Sequence, residues 1–201
     1  MDQTHSPETT VWLVRHGETE WSLSGQHTGR NDLPLTQHGE EEALAVRDLL
    51  KGRTFSLVLC SPLTRARRTC EIAGFSDVAV IDPDIQEWDY GDVSGRTSAQ
   101  VREDHPGWTI WKGPVFNGES LDQLGARAKR VAERLRSHGD RCLVFSHGHF
   151  LRVLTAEWLR LPPVTGQNFA LQTASVCVLG EDAGYPAIRA WNYRTKLGSD
   201  L

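Results

Sequence analysis

The sequence has no long hydrophobic run, and this absence sets the first limit on its class. None of its apolar stretches approaches the ~20 residues that a helix needs to cross a bilayer. Residues 1–10 are polar and lack the apolar segment of a secretory signal. We therefore expect a cytoplasmic protein that does not enter the membrane, with residues 1–9 as a flexible tail.

The chain also lacks an excess of positive charge. Its 22 Lys and Arg residues are outnumbered by 26 Asp and Glu residues, which gives a net charge of −4. Such a balance provides no general attraction to nucleic acid or to an anionic membrane surface, so we expect neither as a partner. Any phosphate group that the protein binds must be held by local cations.

Cysteine is scarce and shows no paired spacing. The four cysteines are Cys60, Cys70, Cys142 and Cys177, none of them in C-x-x-C spacing and all beside apolar residues. This pattern indicates reduced, buried side chains rather than a disulfide framework or a zinc site.

The sequence does contain an alternation of strand and helix patterns. Wholly apolar runs, typical of strands covered on both sides, lie at 11–14, 57–60 and 142–145, and weaker strand patterns lie at 78–81, 170–179 and 187–192. Helical patterns lie at 36–50, 61–73, 97–103, 120–136 and 148–160, and 21–35 is predicted to be a long loop. The 201 residues therefore predict one α/β domain over 1–201, a three-layer α/β/α sandwich with a mostly parallel central sheet and a cap-like excursion over 88–118.

Reactive side chains follow each of the three apolar runs. Arg15 and His16 follow the first, Ser61 and then Arg65 follow the second, and His147 follows the third. Because parallel strands end at the same edge of a sheet, we expect these groups to meet there. Ser61 is also the predicted N-cap of the next helix, with a proline at the first helical position.

The chemistry of this group of side chains indicates its ligand. Two imidazoles and two guanidiniums repel one another at short range unless an anion shares the site. Arginine also matches phosphate oxygens with two parallel hydrogen bonds. The residues alone therefore favour a phosphate-bearing ligand, while Arg67 and Arg68 are interpreted as structural.

The segment RHGET at 15–19 resembles the signature of the histidine phosphatase superfamily, in its phosphoglycerate-mutase-like branch. The resemblance extends over nearly the whole chain, and the ordered set is far more specific than RHG alone. The further matching positions are Thr28-Gly29, Leu35-Thr36 with Gly39, Ser61-Pro62 with Arg65-Ala66, Glu87 with Tyr90-Gly91, Gly118-Glu119-Ser120 and Ser146-His147-Gly148.

The resemblance implies a metal-independent reaction through a phosphohistidine, with no cofactor. His16 is the implied nucleophile, and the groups implied to surround the phosphoryl oxygens are Arg15, Arg65, His147 and the neutral donor Thr28. A nucleophilic imidazole must be neutral, so its other nitrogen needs an acceptor, for which a nearby backbone carbonyl is the candidate.

Glu87 is the implied general acid, which protonates the leaving alkoxide and then deprotonates the attacking water. Asp89 or Glu18 takes this role if Glu87 is only a surface acid. A phosphate next to Glu87 favours its protonated form while the arginines oppose it, so an acidic pH optimum is a hypothesis.

Contacts to the rest of the substrate are the least constrained part of the prediction. The candidate binding residues are Ser22, Thr28, Gly29, Trp108, Trp111 and His149. Trp108 and Trp111 either form a roof over the pocket or fill a small satellite core. His149 stands two residues after His147, but no Cys or carboxylate lies at ligand spacing beside it, so no metal site is predicted.

Two features separate this chain from the mutases that it resembles. They carry Asn at the position of Ser22, and after the region of Glu87 they carry an insertion with extra basic residues that this chain lacks. A site that does not retain the phosphate acceptor should admit water, so phosphatase activity is favoured. A cofactor-dependent phosphoglycerate mutase and a catalytically silent phospho-ligand-binding module remain the alternatives.

The resemblance narrows the substrate to small phosphorylated metabolites such as sugar phosphates. Residues 15–36 are similar to sedoheptulose-bisphosphatase-like enzymes, whereas the chain length better matches broad-specificity acid phosphatases. The last two strands are a candidate homodimer edge. His27 needs no role, and the basic run that includes Arg127 is expected to form a solvated helix face.

Overall fold

A six-stranded sheet forms the centre of the computed structural model, which describes residues 9–194. Its strands are β1 (Thr10–Arg15), β2 (Leu57–Cys60), β3 (Ala79–Ile81), β4 (Arg141–Ser146), β5 (Val176–Asp182) and β6 (Tyr185–Tyr193). Their order across the sheet is β3-β2-β4-β1-β5-β6. The first four strands in this order pair in parallel, whereas β5 and β6 are antiparallel. The expected, mostly parallel sheet is confirmed.

Helices cover both faces of this sheet. They are α1 (Glu20–Ser24), α2 (Gln37–Leu50), α3 (Thr64–Ile72), α4 (Ser98–Asp104), α5 (Leu121–His138) and α6 (Gly148–Trp158). Apolar side chains of α2 and α3 pack with Val14 and Leu143 on one face. Those of α5 and α6 pack with Val11 and Leu13 on the other. The three-layer α/β/α arrangement is thus confirmed.

Strand β1 lies at the centre, between β4 and the antiparallel β5. The four residues 142–145 of β4 are completely buried, as a wholly apolar strand covered on both faces must be. The carboxyl ends of β1, β4 and β2 consequently share one edge near the middle of the sheet, where open α/β sheets bind their ligands.

Two of the predicted helix starts are confirmed by their capping bonds. The Thr36 hydroxyl accepts a hydrogen bond from the Gly39 backbone N–H at 3.0 Å, and Ser120 caps α5 in the same way through Gln123. The prediction for α3 is wrong, because this helix begins at Thr64 and Ser61 does not cap it.

Two connections also differ from their predictions. The expected loop over 21–35 starts inside α1, whose capping box joins Thr19 and Ser22 with Ser in the place usually held by Glu or Gln. The expected strand over 170–179 begins only at Val176, because Ala174 has a φ of 49° and the chain turns there. All four cysteines are buried and free, as predicted.

Some expectations concern parts or properties outside this description. Residues 1–8 of the predicted tail lie outside the described residues. Within 9–194, no helix has the length and apolar character needed to cross a membrane. The single-domain boundaries and the homodimer edge stay predictions.

Candidate active site

The three strand ends bring the two predicted histidines together. His16 directly follows β1, and His147 follows β4 and occupies the N-cap position of α6. Their ring centroids are 5.2 Å apart. The Arg65 Nε atom donates a hydrogen bond to His16 Nε2 at 3.2 Å, so α3 contributes to the same point.

The hydrogen bonds of His16 define its tautomer. Its Nδ1 atom lies 2.7 Å from the Gly17 carbonyl oxygen, which can only accept, so the proton is on Nδ1. Burial, Arg65 and Arg15 together lower the pKa of His16 well below its ordinary value of 6.5. The ring is therefore neutral, and Nε2 carries the lone pair, as a nucleophilic imidazole requires.

The loop after His16 is held by backbone contacts that only glycine permits. A Cβ atom on Gly17 would lie 2.3 Å from the Gly39 carbonyl oxygen at the start of α2. The Gly17 N–H donates to Thr69 Oγ1 at 3.1 Å, and the His16 carbonyl accepts from the Ala174 N–H at 3.0 Å. The nucleophile candidate is thus fixed from both sides of its loop.

A buried carboxylate completes the support of this loop. Glu42 of α2 accepts a hydrogen bond from the Glu18 N–H at 2.7 Å. It also accepts from the Thr173 hydroxyl at 2.9 Å and from the Arg194 guanidinium at 2.6 Å. Glu42 therefore ties the loop after β1 to the segments on either side of β5 and β6.

Both predicted arginines are oriented by carbonyl oxygens, and neither forms an ion pair within residues 9–194. Arg65 is fully buried and donates to the carbonyls of Gly29 at 2.7 Å and Asn31 at 2.8 Å. Arg15 donates through Nη1 to the Leu171 carbonyl at 2.5 Å. Burial lowers the pKa of each, although a guanidinium remains charged at any physiological pH.

Two polar atoms beside these guanidiniums are buried without a partner among the described residues. They are Arg15 Nε and His147 Nδ1. The other ring nitrogen of His147 is paired with the Ser61 hydroxyl at 2.7 Å. Burial and Arg65 lower the pKa of His147 well below its ordinary value, so this ring is also neutral. Unpaired buried groups are rare, and here they favour an anionic ligand with several acceptor atoms.

The Glu87 side chain lies at the N-terminus of α6, next to the basic side chains described above. Its carboxylate accepts three backbone hydrogen bonds, from Trp88 at 3.0 Å, His149 at 3.1 Å and Phe150 at 2.9 Å. The last two donors belong to the first turn of the helix, where N–H groups lack intrahelical partners. The fallback acids stand elsewhere, since Glu18 accepts from the Thr36 hydroxyl and Asp89 pairs with Arg30.

The backbone that carries Glu87 is fixed by Arg127, contrary to the expectation for that residue. Arg127 is only 6% exposed, and its guanidinium pairs with Glu119 at 2.7 Å. It also donates to the carbonyls of Asp84, Gln86 and Glu87. The expectation of a solvated face is wrong here because the connection between β3 and α5 folds over this side of α5.

A cavity of about 190 Å³ opens over these groups. Its walls contain the predicted residues Arg15, His16, Ser22, Thr28, Gly29, Arg65, Glu87 and His149. The described residues that line the cavity do not include His147, Trp108 or Trp111, and His147 lies fully buried behind the wall. Trp108 is 4% exposed and donates its indole N–H to the Pro114 carbonyl, while the Trp111 ring packs behind His149 at 5.2 Å.

The cavity also contains residues that the sequence reasoning missed. They are Trp21, Gln26, His27, Tyr90, Arg152 and Leu171. His27 packs against the Tyr90 ring at 5.0 Å and pairs with the Ser98 hydroxyl at 3.0 Å, so it lies in the cavity wall although the sequence assigned it no role. A signal for Arg152 was present, since it follows His149 by three residues and so shares its helix face.

No group of three or more His, Cys, Asp or Glu side chains comes together as a possible metal site in residues 9–194. This finding does not test whether the reaction is metal-independent, which stays a prediction.

The fold and the cavity together define a phosphoglycerate-mutase-like α/β protein with a basic, histidine-containing site at the carboxyl edge of its sheet. The chain belongs to the histidine phosphatase superfamily (branch 1), whose family profile matches residues 11–194.

Individual relatives agree with this assignment. An acid phosphatase of Mycobacterium tuberculosis is 39% identical over 176 residues, which cover 86% of each chain. The sedoheptulose 1,7-bisphosphatase of Saccharomyces cerevisiae is 35% identical over 182 residues, covering 74% of this chain and 67% of the yeast protein. A solved structure of an open reading frame product from M. tuberculosis superimposes with a TM-score of 0.88 at 34% identity, covering 92% of this chain and 97% of the other.

Proposed function

We propose that this protein is a phosphatase that hydrolyses phosphomonoesters of small metabolites through a phosphohistidine intermediate. The observation that carries the proposal is the state of His16, a buried neutral imidazole with its proton on Nδ1 and its Nε2 directed at Arg65. The relatives named acid phosphatase and sedoheptulose 1,7-bisphosphatase support the same class of reaction.

In the first step, His16 Nε2 attacks phosphorus and the bond from phosphorus to the ester oxygen breaks. Glu87 in its acid form gives its proton to the leaving alkoxide, so an alcohol departs and a phosphohistidine remains. Arg15, Arg65 and His147 stabilise the charge on the equatorial oxygens, as phosphoryl transfer requires, with Thr28 as a neutral donor.

In the second step, Glu87 accepts a proton from water while the water oxygen attacks the phosphohistidine. The nitrogen–phosphorus bond breaks, inorganic phosphate forms, and His16 returns to its neutral state. Three backbone N–H groups hold the Glu87 carboxylate in place for this proton transfer.

Two measurements test the proposal. The wild-type protein is expected to release p-nitrophenol from p-nitrophenyl phosphate in excess chelator. Rapid quenching with a labelled substrate is expected to trap an acid-labile, base-stable phosphoprotein. Turnover that disappears with the chelator, or a quenched protein with no phosphoryl group on His16, would contradict the mechanism. Conversion of 3- to 2-phosphoglycerate primed by the bisphosphate would instead support a mutase.

A further inference from the structure

The cavity holds a third guanidinium that the proposed chemistry does not use. Arg152 of α6 lines the same cavity as Arg15 and Arg65. It lies in the second turn of the helix whose N-cap is His147. Its side chain is half-buried, so it is neither a surface cation nor a core residue.

The position of this guanidinium is fixed without an acid. Its Nε atom donates to the Gly166 carbonyl at 2.9 Å and its Nη2 to the Gln167 carbonyl at 2.9 Å. Its plane lies over the Trp111 ring, with Cζ at 4.6 Å from the ring centroid. No carboxylate in residues 9–194 forms an ion pair with Arg152, and no acceptor there binds its Nη1.

Helix geometry directs this free end toward the cavity. Arg152 is four residues beyond Gly148, the first residue of α6, which corresponds to a rise of about 6 Å. Side chains of a helix tilt toward its N-terminus, so that of Arg152 leans back over the first turn, where Glu87 is held. The guanidinium thus belongs to the wall of the cavity that α6 forms, the same cavity that His16 lines.

His149, on the same helix face, adds a neutral donor. Burial raises the pKa of Tyr90 well above its ordinary value, so its hydroxyl is protonated; it pairs with His149 Nδ1, and the tautomer considered for the subsite is the one in which Tyr90 donates. Burial also lowers the pKa of His149, and the neutral ring then carries its proton on Nε2. No acceptor for this Nε2–H is found among the described residues.

The charges of the cavity are not balanced by one phosphoryl group. Arg15, Arg65 and Arg152 are its cations, and Glu87 is the one carboxylate among the described residues that line it. When Glu87 is in its acid form, a phosphoryl dianion neutralises two of the three guanidiniums. One positive charge remains, and Arg152, whose Nη1 has no acceptor among the described residues, is the guanidinium that the proposed chemistry does not use.

We propose that Arg152 and His149 form a second anion-binding subsite, and that the preferred substrates carry, besides the reacting phosphate, a second anionic group that contacts these two residues. The shared chemistry of this group is that of a phosphate or a carboxylate on a short metabolite. This inference rests on the phosphatase function proposed above and specifies its substrate class.

Matched pairs of substrates test the subsite. Fructose 6-phosphate and fructose 1,6-bisphosphate differ by a second phosphate, whereas glycerol 3-phosphate and 3-phosphoglycerate differ by a carboxylate. In at least one pair, we expect the wild-type kcat/KM to favour the doubly anionic member by about 10-fold or more, as charge-assisted hydrogen bonds predict. The pair that shows the preference identifies the anion.

Substitutions of Arg152 assign that preference to this residue. Arg152→Gln is expected to reduce the selectivity ratio of the preferred pair by about 10-fold or more, and Arg152→Lys to retain part of it. Arg67→Gln removes the same charge from an exposed position of α3 and is expected to leave the ratio unchanged. Melting temperatures of all variants report any loss of the Arg152 bonds to Gly166 and Gln167.

The outcomes separate this inference from the proposed function. Equal kcat/KM within both pairs, or a preference that persists in Arg152→Gln, would overturn the subsite and leave the phosphatase intact. An equal loss for both members of the preferred pair would show a structural role only. If no ester is hydrolysed, the phosphatase proposal fails, and calorimetric binding of the same pairs to wild type and Arg152→Gln decides the subsite by the same ratio.

Discussion

The phosphoryl end of the cavity and the rest of its wall are built from different parts of the fold. At the phosphoryl end, His16 and His147 directly follow strands, and Arg65 lies in the first turn of a helix behind another strand. In the rest of the wall, Trp21 comes from the short helix α1 and Tyr90 from the connection between β3 and α5.

This difference explains why the fold fixes the side-chain positions more strictly at the phosphoryl end than in the rest of the cavity wall. The positions of side chains at strand ends are set by the register of the buried sheet, and backbone carbonyls fix their orientation. Groups in connections depend on local turns and on side-chain packing, which tolerate change. The phosphoryl end is therefore suited to fixed chemistry, and the rest of the wall to selection among substrates.

The largest expected effect is at the nucleophile. His16→Ala should lower kcat/KM for p-nitrophenyl phosphate by about 10⁴-fold or more, because no other group can form the intermediate. His38→Ala, which changes an exposed histidine of α2, is the matched control and should retain activity. Appreciable turnover by His16→Ala would contradict the role of His16 as the nucleophile.

A smaller loss is expected from the basic groups around the phosphoryl oxygens. Arg65→Gln should lower kcat by about 10²- to 10³-fold, the range for removing a preorganised donor to transition-state charge. Arg67→Gln, two residues along the same helix but exposed, should have little effect on kcat. Equal effects of the two variants on kcat would show that Arg65 acts only through the net charge.

The dependence of the folded protein's stability on pH tests four buried histidines of the site together. Burial lowers the pKa of His16, His27, His147 and His149 from the ordinary 6.5, so the folded protein keeps them neutral while the unfolded chain protonates below that pH. Stability is then fully present above pH 6.5 and decreases as the pH falls, by up to about 1.4 kcal/mol per histidine and pH unit.

Thermal unfolding between pH 7.5 and pH 5 measures this decrease. Inorganic phosphate should offset it at the phosphoryl end, because a bound anion favours the folded state. A melting temperature that stays constant or rises on acidification would contradict the neutral, buried state of these rings.

The smallest expected effect concerns Tyr90, in the part of the cavity wall that comes from a connection. Tyr90→Phe removes the hydroxyl that pairs with His149 Nδ1, a loss of about 1 kcal/mol, or up to about 10-fold in kcat/KM. The effect should depend on the leaving group and appear mainly in KM. A uniform loss in kcat for every ester would instead indicate that Tyr90 acts on the phosphoryl end.

The sequence predicted those parts of the fold that follow from local pattern. Wholly apolar runs located β1, β2 and β4, and capping residues such as Thr36 and Ser120 located the starts of α2 and α5. The convergence of Arg15, His16 and His147 followed from the parallel arrangement of those strands.

Other features depend on contacts that no local pattern contains. Ser61 pairs with His147, 86 residues away, and so does not cap α3. Arg127 is buried because residues 84–87 place their carbonyls against it, which cannot be derived from the charge pattern of its helix. His27 reaches the cavity through packing on Tyr90, a contact between two distant connections.

Glu42 has a consequence for how the protein is made. Its carboxylate joins the loop beside the nucleophile, near the start of the chain, to Thr173 and to Arg194, the last described residue. Because a chain emerges from the ribosome N-terminal part first, the loop is produced well before these two partners, which follow Glu42 by 131 and 152 residues. The full set of bonds that holds the loop of His16 therefore forms only after both partners have been made.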